Sequence, residues 1–176
     1  MYPFIRVLRA MHRAGRQPPL DPGQVHTVFT RCWPWDIDPF GELNNGRSLT
    51  LMDIGRTSLL RRSGLVARLR AQGRWITMAG STVQYRKRVL PFADMEIRSR
   101  LIGTDARFFY IEHLTWTQGA PAHHAVYRAC AVGPQGLVPT AQALEGDDRP
   151  GWRAPLPDWV QAWAEAEARR PWPPGL

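Results

Sequence analysis

Hydrophobic residues recur along this chain at two different periods, and the switch between them sketches an architecture. From about Gly46 to Arg62, Leu49, Met52, Leu59 and Leu60 fall at spacings of three and four, which predicts an amphipathic helix. Residues 64–73 predict a second, shorter helix ended near Gly73. The period then changes. Trp75–Val89 is rich in Thr, Val, Ile and Tyr, and Asp94–Gly103 sets Met95, Ile97, Ser99 and Leu101 against Glu96, Arg98, Arg100 and Ile102. Arg107–Thr117 is aromatic and β-branched, and Ala120–Val132 closes the series. Leu90-Pro91-Phe92, Gly103-Thr104-Asp105 and Gln118-Gly119 separate these runs as hairpin turns do. Upstream, residues 24–32 predict one more strand. One strand, one long helix and then consecutive antiparallel strands form the α+β pattern of a sheet wrapped around a helix.

The flanks differ in texture, which divides the chain into residues 1–23, 24–140 and 141–176. Residues 1–17 form a basic amphipathic segment, with Phe4, Ile5, Leu8 and Met11 near helical spacing and Arg6, Arg9, Arg13 and Arg16 between them. Such a segment either docks on its own domain or makes weak contact with an anionic membrane surface. Gln17–Gly23 reads as a linker to the central domain. The Pro-rich tail is loop-like to Pro157, after which Asp158 to Gln161 predicts a capping box and a short helix. That helix carries Trp159 and Trp163 one turn apart and ends at Arg169 and Arg170.

Composition narrows the class. At 176 residues, with 44% hydrophobic and 22% charged positions, the central part is one soluble globular domain with a core of its own. Cys32 and Cys130 fit no metal spacing and read as buried reduced thiols, which points to the cytoplasm. No run of 18 apolar residues offers a membrane span, and Arg6, Arg9 and Arg13 interrupt any signal-peptide core. The formal net charge is +8, and Lys87 is the only lysine. That balance favours anionic partners, but no nucleic-acid-binding motif accompanies it, so nucleic acid is not expected as a partner.

The densest chemistry lies in Asp36-Ile37-Asp38-Pro39-Phe40-Gly41-Glu42-Leu43-Asn44-Asn45-Gly46, a loop that opens into the long helix. Asp38-Pro39-Phe40-Gly41 fits a type I turn, and Asn45 fits an ordinary N-cap. The same residues also suit acyl chemistry. A helix start offers unpaired N–H groups to a developing oxyanion, and a nearby carboxylate can act as base or nucleophile on a carbonyl. Asp36, two residues from Asp38, either orders the loop or raises the proton affinity of Asp38 by like charge.

This block resembles the signature of hotdog-fold acyl-CoA thioesterases, the 4-hydroxybenzoyl-CoA thioesterase-like and related acyl thioesterase-like proteins. Asp38 matches the family's catalytic Asp, Gly41 its turn glycine, and Asn44 and Asn45 its Asn pair. Asp53 and Arg56 match an acid and an Arg on the helix. Glu42 stands where the family usually has His, and Ser48 where a Tyr is common. The resemblance covers roughly residues 22–140 and implies a hotdog fold with an antiparallel sheet wrapped around one long central helix. It further implies hydrolysis of acyl-CoA or acyl-carrier thioesters by a homodimer or dimer of dimers whose site lies between subunits. Asp38 is then the catalytic carboxylate, with backbone amides around Asn45 and Gly46 as the oxyanion site. The coenzyme A thioester is the substrate, and no separate cofactor is implied. The abundance of aromatic and aliphatic side chains suits a fatty or aromatic acyl group. The two departures leave a second expectation, a non-catalytic hotdog protein that binds acyl-CoA or lipid.

Three further groups complete the candidates. Arg86, Lys87 and Arg88 at a strand end either grip the phosphates of coenzyme A or face solvent. Asp53 and Arg56 lie on the apolar face of the helix, so they are a satisfied buried ion pair or part of a substrate site. Glu42 either substitutes for the missing His as a hydrogen-bonding group, supplies a second carboxylate or faces solvent, with solvent the default. His113, His123 and His124 lie on neighbouring strands but show no ligand spacing of a known metal site, and none is expected.

Overall fold

The computed structural model describes residues 2–175. In chain order the elements are α1 (Phe4–Ala14), β1 (His26–Arg31), α2 (Asn45–Arg62), α3 (Leu65–Ala71), β2 (Trp75–Tyr85), β3 (Asp94–Thr104) and β4 (Phe109–Thr117). There follow β5 (Ala120–Gly133), β6 (Gly136–Val138), α4 (Thr140–Ala143) and α5 (Asp158–Ala168). The strands form one antiparallel sheet in the order β1-β3-β4-β5-β2, with β6 paired to the end of β5. Helix α2 lies across one face of it, against β1, β3 and β4.

The strand alternation read from the sequence sets which side chains meet α2. Met95, Ile97, Ser99 and Leu101 are buried, as are Ile111 on β4 and Ala125 and Tyr127 on β5, and all but Ser99 join the main apolar core with Leu51, Met52 and Leu59. The closest approach is at Gly55. A Cβ there would stand well inside contact distance of Ser99 Oγ and 3.2 Å from Ile97 Cγ2. Only a residue without a side chain lets the helix seat this deeply.

Two predicted caps are corrected. Asn44, not Asn45, caps α2, its Oδ1 accepting from the Arg47 amide at 3.0 Å. The expected capping box at Asp158 is not formed: Pro157 occupies the N-cap position, and Gln161 Nε2 donates instead to the Leu156 carbonyl at 2.6 Å. Proline offers no capping oxygen, so α5 is held by packing. Its Val160 and Trp163 cover the far face of the sheet with Tyr110, Val126 and Ile102. Ile102, counted on the polar side of its strand, is buried by this helix at a register shift between Leu101 and Gly103.

Helix α1 docks on α2 through Val7 and Ala14, with Ala10 and Met11 partly covered. Cys32 and Cys130 are both free and buried. Among the described residues no helix is long and apolar enough to cross a membrane.

Candidate active site

The loop between β1 and α2 is built around two aspartates with different duties. A 3₁₀ turn at Pro34–Asp36 turns the Asp36 side chain inward, where it is fully buried. Its carboxylate accepts from the Trp33 amide at 3.0 Å, from Arg6 Nη1 of α1 at 2.9 Å and from Arg47 Nε of α2 at 2.6 Å. Burial alone would raise its pKa, but the Trp33 amide and the two guanidiniums outweigh burial and hold it below the usual carboxylate range. Asp36 therefore orders the loop, and its backbone carbonyl also accepts from the Asn44 amide at 3.0 Å.

Asp38 heads the expected turn. The Gly41 amide donates to its carbonyl at 3.1 Å, and its own amide donates to the Glu42 carbonyl at 2.8 Å. An isolated bridge between Ile37 and Leu43 closes the structure, with Gly41 at φ +77°, a conformation that glycine adopts without penalty. Asp38 Oδ1 accepts from the amides of Phe40 at 2.9 Å and Glu42 at 3.4 Å. Oδ2 has no hydrogen-bond partner among the described residues. The half-buried carboxylate is thus fixed on one oxygen and open on the other.

Beyond the loop, α2 opens with the amides of Asn45 and Gly46, which find no acceptor among the described residues. They form the positive end of an 18-residue helix. A cleft of about 180 Å³ lies beside Asn45, though not lined by Gly46, and is bounded by Glu42, Leu43 and Asn45, by Tyr85 and His123 of the sheet, and by residues 86–89. Asn45, Arg86, Lys87 and Arg88 line it. Asp38 does not line it but adjoins it through Glu42.

The basic run divides its roles. Arg88 Nε pairs with Glu42, and its Nη2 donates to the Phe40 carbonyl at 3.0 Å. Arg88 thus clamps the loop rather than standing free, and Glu42 is half-buried rather than solvent-facing, because the side chains meet across 46 residues of sequence. Among the described residues the Arg86 side chain hydrogen-bonds Gln84 Oε1 alone, at 3.3 Å, and the Lys87 ammonium has no ion-pair partner. These two remain available to an anion.

Asp53 and Arg56 pair with each other farther along α2 and are not among the residues that line the cleft. The Tyr2 hydroxyl donates to Asp53 at 3.1 Å, and the Arg56 guanidinium lies 4.4 Å from the centre of the Tyr127 ring. Burial raises the pKa of Asp53, with Arg56 and Tyr2 opposing it. The two form an ion pair, but Arg56 Nη1 is buried without a hydrogen-bond partner among the described residues, so the pair is only partly satisfied.

Sequence reasoning missed the pair Ser48 and His123. Ser48 Oγ lies 2.7 Å from His123 Nδ1, both are buried, and the imidazole meets the Tyr85 ring edge-on at 5.0 Å. Burial lowers the His123 pKa, with the Lys87 backbone and Glu42 working the other way. The available signal was Ser48 itself, a polar residue one turn before Met52 on the apolar face. His113 meets Ser99 and His124 meets Glu112. Among the described residues no three potential metal ligands converge.

Comparison with known proteins places this geometry in context. A model of the Thioesterase-like superfamily matches residues 32–164. Protein THEM6 of Xenopus laevis is 34% identical over 110 residues, covering 62% of this chain and 53% of that protein. Protein THEM6 of Drosophila melanogaster is 26% identical over 145 residues, covering 80% and 72%. The chain thus spans about half the length of the Xenopus relative and more of the Drosophila one. Among solved structures, the probable thioesterase YbaW from Escherichia coli superimposes with a TM-score of 0.62 at 16% identity, over 71% of this chain and 94% of that one. The BH1999 gentisyl-coenzyme A thioesterase gives 0.59 at 16% identity, over 68% and 98%. The smu.793 protein from Streptococcus mutans, solved with acetyl CoA, gives 0.53 at 15% identity, over 65% and 85%. At these identities the likeness shows the fold, the hotdog arrangement of sheet and central helix.

Proposed function

The chain belongs to the thioesterase-like superfamily, and on that premise we propose that it hydrolyses fatty or aromatic acyl-CoA thioesters. In this reading Asp38 takes a proton from water through its open oxygen while the water oxygen attacks the thioester carbon. The oxyanion forms against the amides of Asn45 and Gly46. Collapse breaks the C–S bond, and the proton held by Asp38 passes to the departing thiolate. Direct attack by the carboxylate, through an anhydride, is the other route open to the same group. Arg86 and Lys87 hold the phosphates of the carrier, coenzyme A or its acyl-carrier counterpart. The observation that carries the reading is a carboxylate pinned by two backbone amides on a loop that ends at a free helix start.

The assembly in this reading is a homodimer or a dimer of dimers in the cytoplasm. The edge strand β2 supports it, since Trp75 is exposed on it with Ile76, Met78 and Val83 only partly covered. Strand edges of this kind invite pairing with a second chain.

A second reading, an acyl-CoA or lipid binder without turnover, is favoured by one observation. Glu42, at the position where the resemblance expects His, is spent on Arg88. Thiol release from a panel of aliphatic and aromatic acyl-CoA substrates separates the two. Asp38→Asn retains an Oδ1 for the Phe40 amide, so the loop keeps its shape while the base is lost. Turnover should fall by roughly two to four orders of magnitude. Near-normal turnover of the folded variant rejects Asp38, and saturable acyl-CoA binding by the unaltered protein without thiol release favours the second reading.

A further inference from the structure

Helix α1 has more apolar surface than its docking uses. Val7 and Ala14 are buried against the domain, yet Phe4, Ile5 and Leu8 are each about two-thirds exposed. Phe4 and Leu8 stand one turn apart with Ile5 beside them, so the three make one outward stripe. Among the described residues Phe4 has an aromatic contact with Tyr2 alone.

The next arc round the helix carries Arg9 and Arg13, and Arg16 follows in the turn just after it. Arg9, Arg13 and Arg16 make no ion pair or side-chain hydrogen bond among the described residues. Arg9 and Arg13 also border a groove of about 340 Å³ between α1 and β1. Such cations and a water-exposed apolar stripe on one short helix stabilise nothing inside this fold. A second copy seated on this face would set its own Arg9 and Arg13 against these, with no acidic partner for either set. Nucleic acid would satisfy the arginines and leave Phe4, Ile5 and Leu8 in water. An anionic bilayer satisfies both, with the apolar stripe among the acyl chains and the arginines at the phosphates.

We propose that the outer face of α1 docks on anionic lipid bilayers, with Phe4, Ile5 and Leu8 inserted and Arg9, Arg13 and Arg16 at the headgroups. The helix stays folded on α2, so the contact is a peripheral one made by the native protein.

Co-sedimentation of the full chain with phosphatidylcholine vesicles, with and without phosphatidylglycerol, tests this. Binding should require phosphatidylglycerol and weaken as salt rises. The variant Phe4→Ser/Ile5→Ser/Leu8→Ser, altered only at exposed positions, should melt like the unaltered protein and bind at least about tenfold less. Arg9→Gln/Arg13→Gln should lose the preference for anionic vesicles. Absence of binding, equal binding to both compositions, or unchanged binding of the triple serine variant would each overturn the proposal. Sedimentation equilibrium covers the remaining occupant: if the serine variant dissociates a dimer while the unaltered protein ignores vesicles, the stripe belongs to a second copy and the proposal fails.

Discussion

Replacing Gly55 by alanine probes how tightly the central helix is seated. Taken alone, the change favours the helix by about 1 kcal/mol, because glycine has the greater backbone freedom to lose. The seat opposes it. The new Cβ overlaps Ser99 Oγ and sits 3.2 Å from Ile97 Cγ2. Ser99 can yield only by rotating its hydroxyl away from His113 Nδ1, to which it now lies at 2.8 Å. His113 is fully buried, and its Nε2 has no partner among the described residues, so losing the Nδ1 contact strands the ring. A stranded buried polar group costs about 1–3 kcal/mol. With about 1 kcal/mol more for crowding Ile97, and net of the helix gain, Gly55→Ala should destabilise the protein by about 1–3 kcal/mol. In a Ser99→Ala background the overlap is gone and the hydrogen bond already lost, so the same change should be neutral or stabilising by up to about 1 kcal/mol. Urea unfolding of the four proteins gives the coupling energy, expected near 2 kcal/mol. Additive effects, or a Gly55→Ala protein as stable as the parent, would refute the close-packing argument.

The other predictions concern buried polar groups. Asp36→Ala takes the shared carboxylate from Arg6 and Arg47 and should cost about 3 kcal/mol in urea unfolding; a loss within error of zero would remove Asp36 as the organiser of the loop. His26, driven down to about 4 by burial and by Arg62, stays neutral in the fold while the unfolded chain protonates near 6.5. The unfolded state then holds more protons between those values, so stability should fall as pH drops from about 6.5 to about 4, by up to about 3 kcal/mol from this residue. A His26→Gln variant with an equally steep pH profile would contradict this. Burial, together with the charge of Asp36, pushes the Cys32 thiol up to about 11. Its reaction with a disulfide reagent near neutral pH should be at least about tenfold slower in the native protein than in denaturant, and equal rates would show the thiol to be accessible.

Much of this architecture was legible because it rests on local periodicity. The alternation of Met95, Ile97, Ser99 and Leu101 named the inward face of its strand, and the spacing of Met52, Leu59 and Leu60 placed the central helix to within a residue at its start. What stayed hidden depends on partners far away in sequence. Adjacent asparagines at 44 and 45 are equivalent caps until the backbone turn fixes which comes first. Arg88 reads as a free cation until the sheet brings it to Glu42, and Ser48 as a mere departure until it meets His123, 75 residues on. The duty of Asp36 needed Arg6, which lies in a segment whose pattern allowed docking but named no partner for it.

That last contact reaches beyond stability. Since Arg6 of the first helix and Tyr2 beside it anchor Asp36 and Asp53, the span matched by the family, residues 32–164, is not mechanically self-sufficient. A fragment trimmed to that span keeps every side chain proposed for the chemistry and gives up part of what holds them still.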